Sequence, residues 1–360
     1  MEGIRLSALR EEDYSRCLAR YFEKSEDARK QIGFILPLSV DDLKSAFPLG
    51  SAYKLLAGAS SGDDIHGVIR ALTISRTSPG KASPKISVRF VVAYPELIRE
   101  VYPLILNLAK SERKLIVVTY SIPGYEKETI EILEDIGFAK GAATVNTTCL
   151  YGKYYDTNYL YHDIENEYEE SPRRSYAEKG DLYPLLPMEK HKQPLKLRFR
   201  IANLDDAADI AEIISQQNTF RTMAGGVYEG FVARSDEISI LEQVKKSGLA
   251  FTVVCVDSER NKVIGMSVVE VMNEQVTRHT GHVGITIHPQ YHGLGIGTAL
   301  LKEIDLLARR IHLESLVLSY FENNTIGKRL YEKSGYEYRG EVPGWLLSTY
   351  VKEIFMQKVL

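Results

Sequence analysis

Glycines at 293, 295 and 297 stand between a β-branched run that closes at Pro289 and an apolar pattern at helical spacing, Leu300, Leu301, Ile304, Leu307, Ala308 and Ile311. That order is a strand, a tight turn and a helix start. The first amide groups of a helix have no partner inside it and stand at the positive end of its dipole. Glycines, lacking Cβ, let an anion come close to such backbone. The turn is therefore read as a cradle for a diphosphate. Two widespread phosphate-binding patterns do not fit it. A P-loop places Lys and then Ser or Thr directly after its last glycine, whereas Gly297 is followed by Thr298 and Ala299. A dinucleotide-binding turn takes G-x-G-x-x-G inside a βαβ unit, whereas the spacing here is G-x-G-x-G with only a short sequence after it.

Residues 292–297, HGLGIG, resemble the (Arg/Gln)-x-x-Gly-x-(Gly/Ala) pattern of the GNAT superfamily, the acetyl-CoA-dependent N-acetyltransferases, with His292 in place of the usual Arg or Gln. Residues 324–336, NTIGKRLYEKSGY, look like that family's N-x-x-A…LYEKxGF segment, and residues 350–356 look like its last strand. The resemblance covers residues 196–360. It implies that Gly293, Gly295 and Gly297, with His292, Leu294, Ile296 and Thr298, hold the pyrophosphate of acetyl-CoA. It implies also that backbone groups near Ile285 and Ile287 pair with the pantetheine amides like a missing strand, that Asn324 lies near the cofactor arm, and that Tyr331 sits near the sulfur. Each position has a plainer role as well. Ile285 and Ile287 suit a buried strand, Thr298 suits a helix start, Asn324 suits a helix N-cap, and Tyr331 suits packing of a helix on a sheet.

Amide acetylation needs a placed thioester, a neutral acceptor amine, a donor for the developing oxyanion and a proton for the thiolate. A phenol with an ordinary pKa near 10 suits the last task, and the resemblance gives it to Tyr331. The base is open. His282 lies where many family members carry glutamate, and imidazole titrates near neutrality. Glu270 ends the preceding strand run, and a bound water is a third option. For His282 or Glu270 alone, an exposed or hydrogen-bonded structural role is the commoner one. His279, His282, His288 and His292 suggest a metal cluster, but spacings of three, six and four across a strand and a turn do not converge on one tetrahedral point. No metal is expected. In the family, the segment matching residues 219–240 lines the acceptor pocket. Phe220, Met223, Tyr228, Phe231 and Arg234 either do so here or pack a helix–loop–helix face. The lone tryptophan, Trp345, is core or acceptor contact.

These motifs need elements to carry them, and 360 residues suffice for two domains. Hydrophobic content of 44% and charged content of 26% are ordinary for a soluble protein, and a net charge of −3 gives no reason to expect nucleic acid. Three scattered cysteines, Cys17, Cys149 and Cys255, point to a reducing compartment. The N-terminus is too polar for a secretory signal, and no apolar run nears the ~20 residues of a membrane span. The protein is read as cytoplasmic, with no membrane partner.

The N-terminal half reads as a degenerate copy of the same domain. Residues 4–13 parallel 199–208, and 88–95 parallel the strand ending at Pro289. Residues 130–138 parallel 328–336, and 152–160 resemble the family's last strand. Spacing of nearly 200 residues is a duplication rather than a solenoid. Aligned through Pro95 and Pro289, Arg99, Val101 and Pro103 replace the three glycines and Glu100 adds a negative charge. Further on, Leu133 stands for Tyr331 and Glu126 for Asn324. The first copy is expected to keep the fold and lose the cofactor. Between the copies lies a charge-, proline- and tyrosine-rich stretch without a period, read as linker.

The expected architecture is α+β, two tandem GNAT-like domains, each a mixed, mainly antiparallel twisted sheet flanked by helices. The boundaries are 1–165 for the degenerate copy, 166–194 for the linker and 195–360 for the acetyl-CoA-binding domain. The expected activity moves an acetyl group from acetyl-CoA, as co-substrate, to a primary amine by direct transfer in a ternary complex, since no cysteine lies in the motifs to form an acyl-enzyme. The amine belongs to a small molecule, a protein or a peptide. The first copy would supply part of the acceptor groove or an interface, and a homodimer is a possible assembly. Two rivals stand beside this: a non-catalytic acyl-CoA sensor or interaction module, and an acyltransferase for longer acyl groups.

Overall fold

The computed structural model describes residues 5–8, 10–22, 40–41, 44, 55–61, 64–73, 85–92, 95–169, 188–192, 194–216, 237–239, 241–242, 246, 248–272, 276–346 and 349–360. Most of the expected linker and most of the expected acceptor segment, 219–240, lie outside the described residues. So does the side chain of Trp345, which falls within a strand. The chain forms two compact units, one made of Met1–Ser75 and Ala82–Ser175, the other containing Tyr176–Leu360.

The first unit runs β1 Arg5–Ala8, α1 Glu11–Phe22, β2 Leu55–Ser61, β3 Asp64–Thr73, β4 Lys85–Val92, α2 Leu97–Ser111, β5 Ile116–Pro123, α3 Lys127–Asp135, β6 Ala139–Leu150 and β7 Lys153–Asp163. Its strands lie in the order β1-β2-β3-β4-β5-β7-β6, and all neighbours are antiparallel except β4 and β5. Ile98, Val101, Tyr102 and Ile105 of α2 bury one helical stripe against Ile86, Val88 and Val117 of the sheet.

The second unit runs β8 Leu197–Ile201, α4 Ala207–Ser215, β9 Ala250–Asp257, β10 Lys262–Val271, β11 Thr280–Ile287, α5 Ile296–Arg310, β12 Ser315–Phe321, α6 Thr325–Lys333, β13 Glu337–Leu346 and β14 Thr349–Val359. Its order is β8-β9-β10-β11-β12-β14-β13, with β11 and β12 the one parallel pair. The expected mixed, mainly antiparallel sheet with flanking helices is thus present. Along β11 the sequence alternates. Val283, Ile285 and Ile287 pack with Ile296, Leu300 and Ile304 of α5, while His282, Gly284 and Thr286 take the other face. Arg309 and Arg310 close α5 at its negative end.

The two units share strand order and the place of the parallel pair, and α2 and α5 are each 15 residues long. The link from parallel strand to helix differs. Residues 288–295 separate β11 from α5, whereas only 93–96 separate β4 from α2. This corrects the residue pairing read from sequence. Arg99, Val101 and Pro103 do not stand in a turn; they lie inside α2, where Val101 is fully buried. The first unit does not carry a substituted turn but a turn four residues shorter. Matching the prolines across that gap displaced the residues of the turn and of α2, while the later pairing of Glu126 with Asn324 and Leu133 with Tyr331 falls at equivalent positions of α3 and α6.

Candidate active site

The parallel contact between β11 and β12 is short. It joins Thr280, Gly281 and His282 to Ser315, Leu316 and Val317 and then stops, while β11 runs on to Ile287 and β12 to Phe321. Beyond His282 the strands diverge and leave a wedge. His288 N–H donates to Ile264 C=O of β10 at 3.0 Å. In an antiparallel ladder, backbone groups of successive residues turn to opposite edges. Ile287 and Ile285 therefore direct their own N–H and C=O toward the wedge. The sequence offered these isoleucines as core or as backbone partners of a ligand. The two roles do not exclude each other, because side chains and backbone point to different places.

At the end of β11 the chain makes a short 3₁₀ turn, Pro289–Tyr291, capped by the His288 ring, which accepts from Gln290 N–H. Gly293 and Gly295 then adopt φ of +85° and +80°, the left-handed region that glycine enters without strain. Gly295 is the N-cap of α5, and with no side chain of its own it offers no acceptor to the helix's opening amides. Gly297 has a different cause. A Cβ there would stand 2.8 Å from Leu330 Cδ2 and 3.0 Å from Ile287 Cδ1, so its hydrogen lets α5 approach α6 and β11. The His292 imidazole Nε2 lies 2.9 Å from the Ile287 carbonyl oxygen and fastens the turn to the strand end. Burial holds the His292 pKa below the ordinary imidazole value, with that hydrogen bond opposing and the Lys190 ammonium adding to the depression. A neutral ring with Nε2–H donating to the carbonyl fits this geometry.

A cavity of about 460 Å³ follows the wedge. Ile285, Ile287, His292, Gly293, Gly295, Ile296, Gly297, Thr298 and Asn324 line it, as do His282 and Tyr331. Two expected site residues do not. Leu294 turns its side chain outward and is 44% exposed, as the tip of a turn whose glycine neighbours both have positive φ. Glu270 faces His282 across the β10–β11 ladder rather than lining the cavity.

Tyr331 projects from α6 and is 7% exposed. Its ring lies 5.5 Å from that of Tyr320 and 6.1 Å from that of Tyr336. Its hydroxyl makes no hydrogen bond to a described residue. Burial pushes its pKa well above the usual phenol value, and neighbouring Tyr320 adds to this. Tyr320 is itself pushed up to about 12, first by burial and then by Glu332. Asn324 caps α6, its side chain accepting from Gly327 N–H at 2.8 Å, so the N-cap role read from sequence is present at a residue that also lines the cavity.

His282 lies on the opposite face of the sheet from Tyr331 and opens into the same cavity. Its side chain is exposed, open to solvent at the cavity mouth. The protein packed around the strand desolvates the imidazole and lowers its pKa, with the carboxylates of Glu270 and Glu353 opposing. The sequence reading missed Ser319 and Glu353. Ser319 lines the cavity, and its hydroxyl donates to Glu353 Oε1 at 2.8 Å. Their only sequence signals are a lone serine in the otherwise apolar SLVLSYF and a glutamate in an alternating strand. Among the described residues, no three His, Cys, Asp or Glu side chains are grouped to hold a metal ion. No helix among them is long and apolar enough to cross a membrane.

Residues 248–338 match the family model described as an acetyltransferase (GNAT) domain, a span from just before β9 into β13. The chain therefore carries a GNAT acetyltransferase domain and is an acyltransferase of that class. Solved structures are similar in fold. A GNAT superfamily phosphinothricin acetyltransferase from Sinorhizobium meliloti, in complex with acetyl-CoA, is 23% identical over 46% of this chain and 88% of its own, with a TM-score of 0.41. A ribosomal-protein-alanine N-acetyltransferase from Brucella melitensis is 21% identical over 45% of this chain and 99% of its own, with a TM-score of 0.41. A GNAT-family acetyltransferase from Streptococcus pneumoniae is 21% identical over 46% of this chain and 99% of its own, with a TM-score of 0.41. Comparison with curated proteins finds no match.

Proposed function

We propose that the second unit transfers an acetyl group from acetyl-CoA to a primary amine by direct attack, with both substrates bound together. The observation that carries this is one continuous cavity. It begins at the glycine turn and the open amides of α5, passes the edge of β11 beyond the end of its pairing with β12, and ends between Tyr331 on one side of the sheet and His282 on the other. The N–H groups of Ile296, Gly297 and Thr298 suit a diphosphate. The edge at Ile285 and Ile287 suits the two amides of a pantetheine arm, which would add to β11 as a strand does. Acetyl-CoA, when bound, supplies an activated acetyl thioester.

The remaining work falls to this chain's side chains. His282, held neutral at neutral pH by its desolvation, accepts the proton that an attacking amine must lose. Glu270 and Glu353 offset part of the cost of the resulting imidazolium. The Tyr331 phenol, held protonated by burial, donates to the departing sulfur from the helix side. A thiolate is a stronger acceptor than a thiol, so this hydrogen bond strengthens as the reaction proceeds. Among the described residues no cysteine lines the cavity, and Cys255, fully buried in β9, has its thiol pushed up to about 12. Neither fact favours an acyl-enzyme.

We infer also that the first unit is a degenerate copy that keeps the fold and binds no acetyl-CoA. The shared strand order supports duplication. The four-residue link before α2, with Glu96 at its N-cap and Glu100 in its first turn, supports loss of the anion site. The domain limits 1–165 and 195–360 fit this reading, with the site in the cell interior. The test is CoASH release from acetyl-CoA across a panel of amines, with calorimetric stoichiometry on the full chain. Turnover with one site per chain supports the reading. Tight binding without release from any amine would make the unit a sensor, and two sites per chain would refute the loss in the first copy.

A further inference from the structure

Lys190 lies in the stretch read from sequence as linker, yet its exposed side chain brings its ammonium beside the glycine turn. Its Nζ is 3.6 Å from where a Cβ on Gly293 would stand. Its neighbour His191 fixes the segment there. The His191 N–H donates to Gln290 C=O at 3.0 Å, and its ring stacks on buried Tyr291 with centroids 5.0 Å apart and planes 27° apart. On either side of this pair, Glu189 and Lys192 bridge to each other at 3.6 Å on the outer surface. Lys190 makes no ion pair with a described residue.

This placement is electrostatically unfavourable as it stands. A cation beside the opening turn of a helix meets the positive end of the dipole, and α5 has no acidic residue in its first turn to offset it. His292, bonded to the Ile287 carbonyl, adds no negative charge there. A lysine free to extend into water is nonetheless directed at the turn by a docked backbone. The arrangement becomes favourable once an anion sits between the ammonium and the α5 amides.

We propose that Lys190 is a direct ligand of the coenzyme A diphosphate at the glycine turn. This rests on the cofactor reading of the cavity given above. It makes residues 188–192 part of the active domain rather than of a connector. The diphosphate is preferred over the 3′-phosphate because the ammonium stands at Gly293, within the turn itself.

The test is calorimetry on the full chain with three probes: CoASH, 3′-dephospho-CoA and pantetheine. A lost charge-assisted phosphate contact at an exposed side chain should cost about 5- to 30-fold in affinity. K190A is expected to weaken CoASH and 3′-dephospho-CoA by the same factor and to leave pantetheine unchanged. K190R should retain affinity within about threefold, and K192A, on the outward neighbour, should bind like wild type. Wild-type affinity of K190A for CoASH would overturn the proposal. A penalty seen with CoASH but absent with 3′-dephospho-CoA would overturn it too, moving the contact to the 3′-phosphate. Failure of the unaltered protein to bind CoASH would instead refute the cofactor site, a separate outcome.

Discussion

The His292 imidazole donates to the Ile287 carbonyl at 2.9 Å, so the first residue of the turn motif is bonded to the last residue of the strand before it. In the family pattern this position is Arg or Gln, and the substitution keeps a nitrogen donor. The bond holds Gly293 and Gly295 in place beneath the opening of α5. His292→Ala should weaken CoASH binding about fivefold, the value of roughly 1 kcal/mol for one hydrogen bond, and His292→Gln should restore most of it. Titration calorimetry on both variants checks this.

The three glycines should separate by mechanism. Gly297→Ala puts a methyl group 2.8 Å from Leu330 Cδ2 and 3.0 Å from Ile287 Cδ1. Overpacking of that kind costs about 1–3 kcal/mol of stability. Gly295→Ala meets nothing within 4 Å, so its penalty is the backbone strain of φ +80° alone, about 1 kcal/mol. Urea denaturation of the two variants should rank Gly297→Ala as the less stable. The reverse order would mean that α5 does not approach α6 as described.

The contrast among these glycines shows what a sequence carries and what it does not. Strand β11, the turn and α5 were legible because alternation, glycine spacing and a 3.6-residue stripe are local patterns. That Ile285 and Ile287 pack in the core and also line the cavity was legible because side chain and backbone take different directions in any strand. Gly297 was read as a phosphate contact, but its tightest constraint comes from Leu330, more than 30 residues away. Ser319, Glu353 and Lys190 were missed because each enters the site through a non-local meeting, of β12 with β14 or of the segment before β8 with the turn. That the first unit's turn differs was legible, but not at which residues. A deletion leaves no residue to compare, and pairing Pro95 with Pro289 hid it.

That correction changes what one variant should do. Val101 is fully buried in α2, packed in the first unit's core. Val101→Gly therefore cannot rebuild a phosphate turn. It should remove a core side chain and add helix-interior glycine, a loss of about 2–4 kcal/mol. Calorimetry should still count one CoASH site per chain, while thermal melting falls by several degrees.

Tyr331→Phe tests the proton donor with little structural disturbance. The hydroxyl has no hydrogen bond among described residues and the ring contacts with Tyr320 and Tyr336 persist. Stability and CoASH affinity should stay within about twofold, while kcat falls about 10²- to 10⁴-fold, the range for loss of a general acid. Unchanged kcat would remove Tyr331 from the chemistry.

The base is tested by pH. Desolvation lowers the His282 pKa in the folded protein, so the neutral, proton-accepting form persists below the ordinary imidazole value of about 6.5. The sign follows for rate and stability alike. As pH falls through the lowered pKa, kcat should drop because the base is occupied. Between the ordinary and the lowered values, stability should already decline, because the unfolded chain takes up that proton first. His282→Gln should abolish the acid limb of the kcat profile below 6.5 and reduce the plateau about 10²-fold or more. A limb that survives in His282→Gln assigns the proton to another acceptor, and Glu353→Gln, which leaves Ser319 a neutral partner, is the variant that then decides between carboxylate and water.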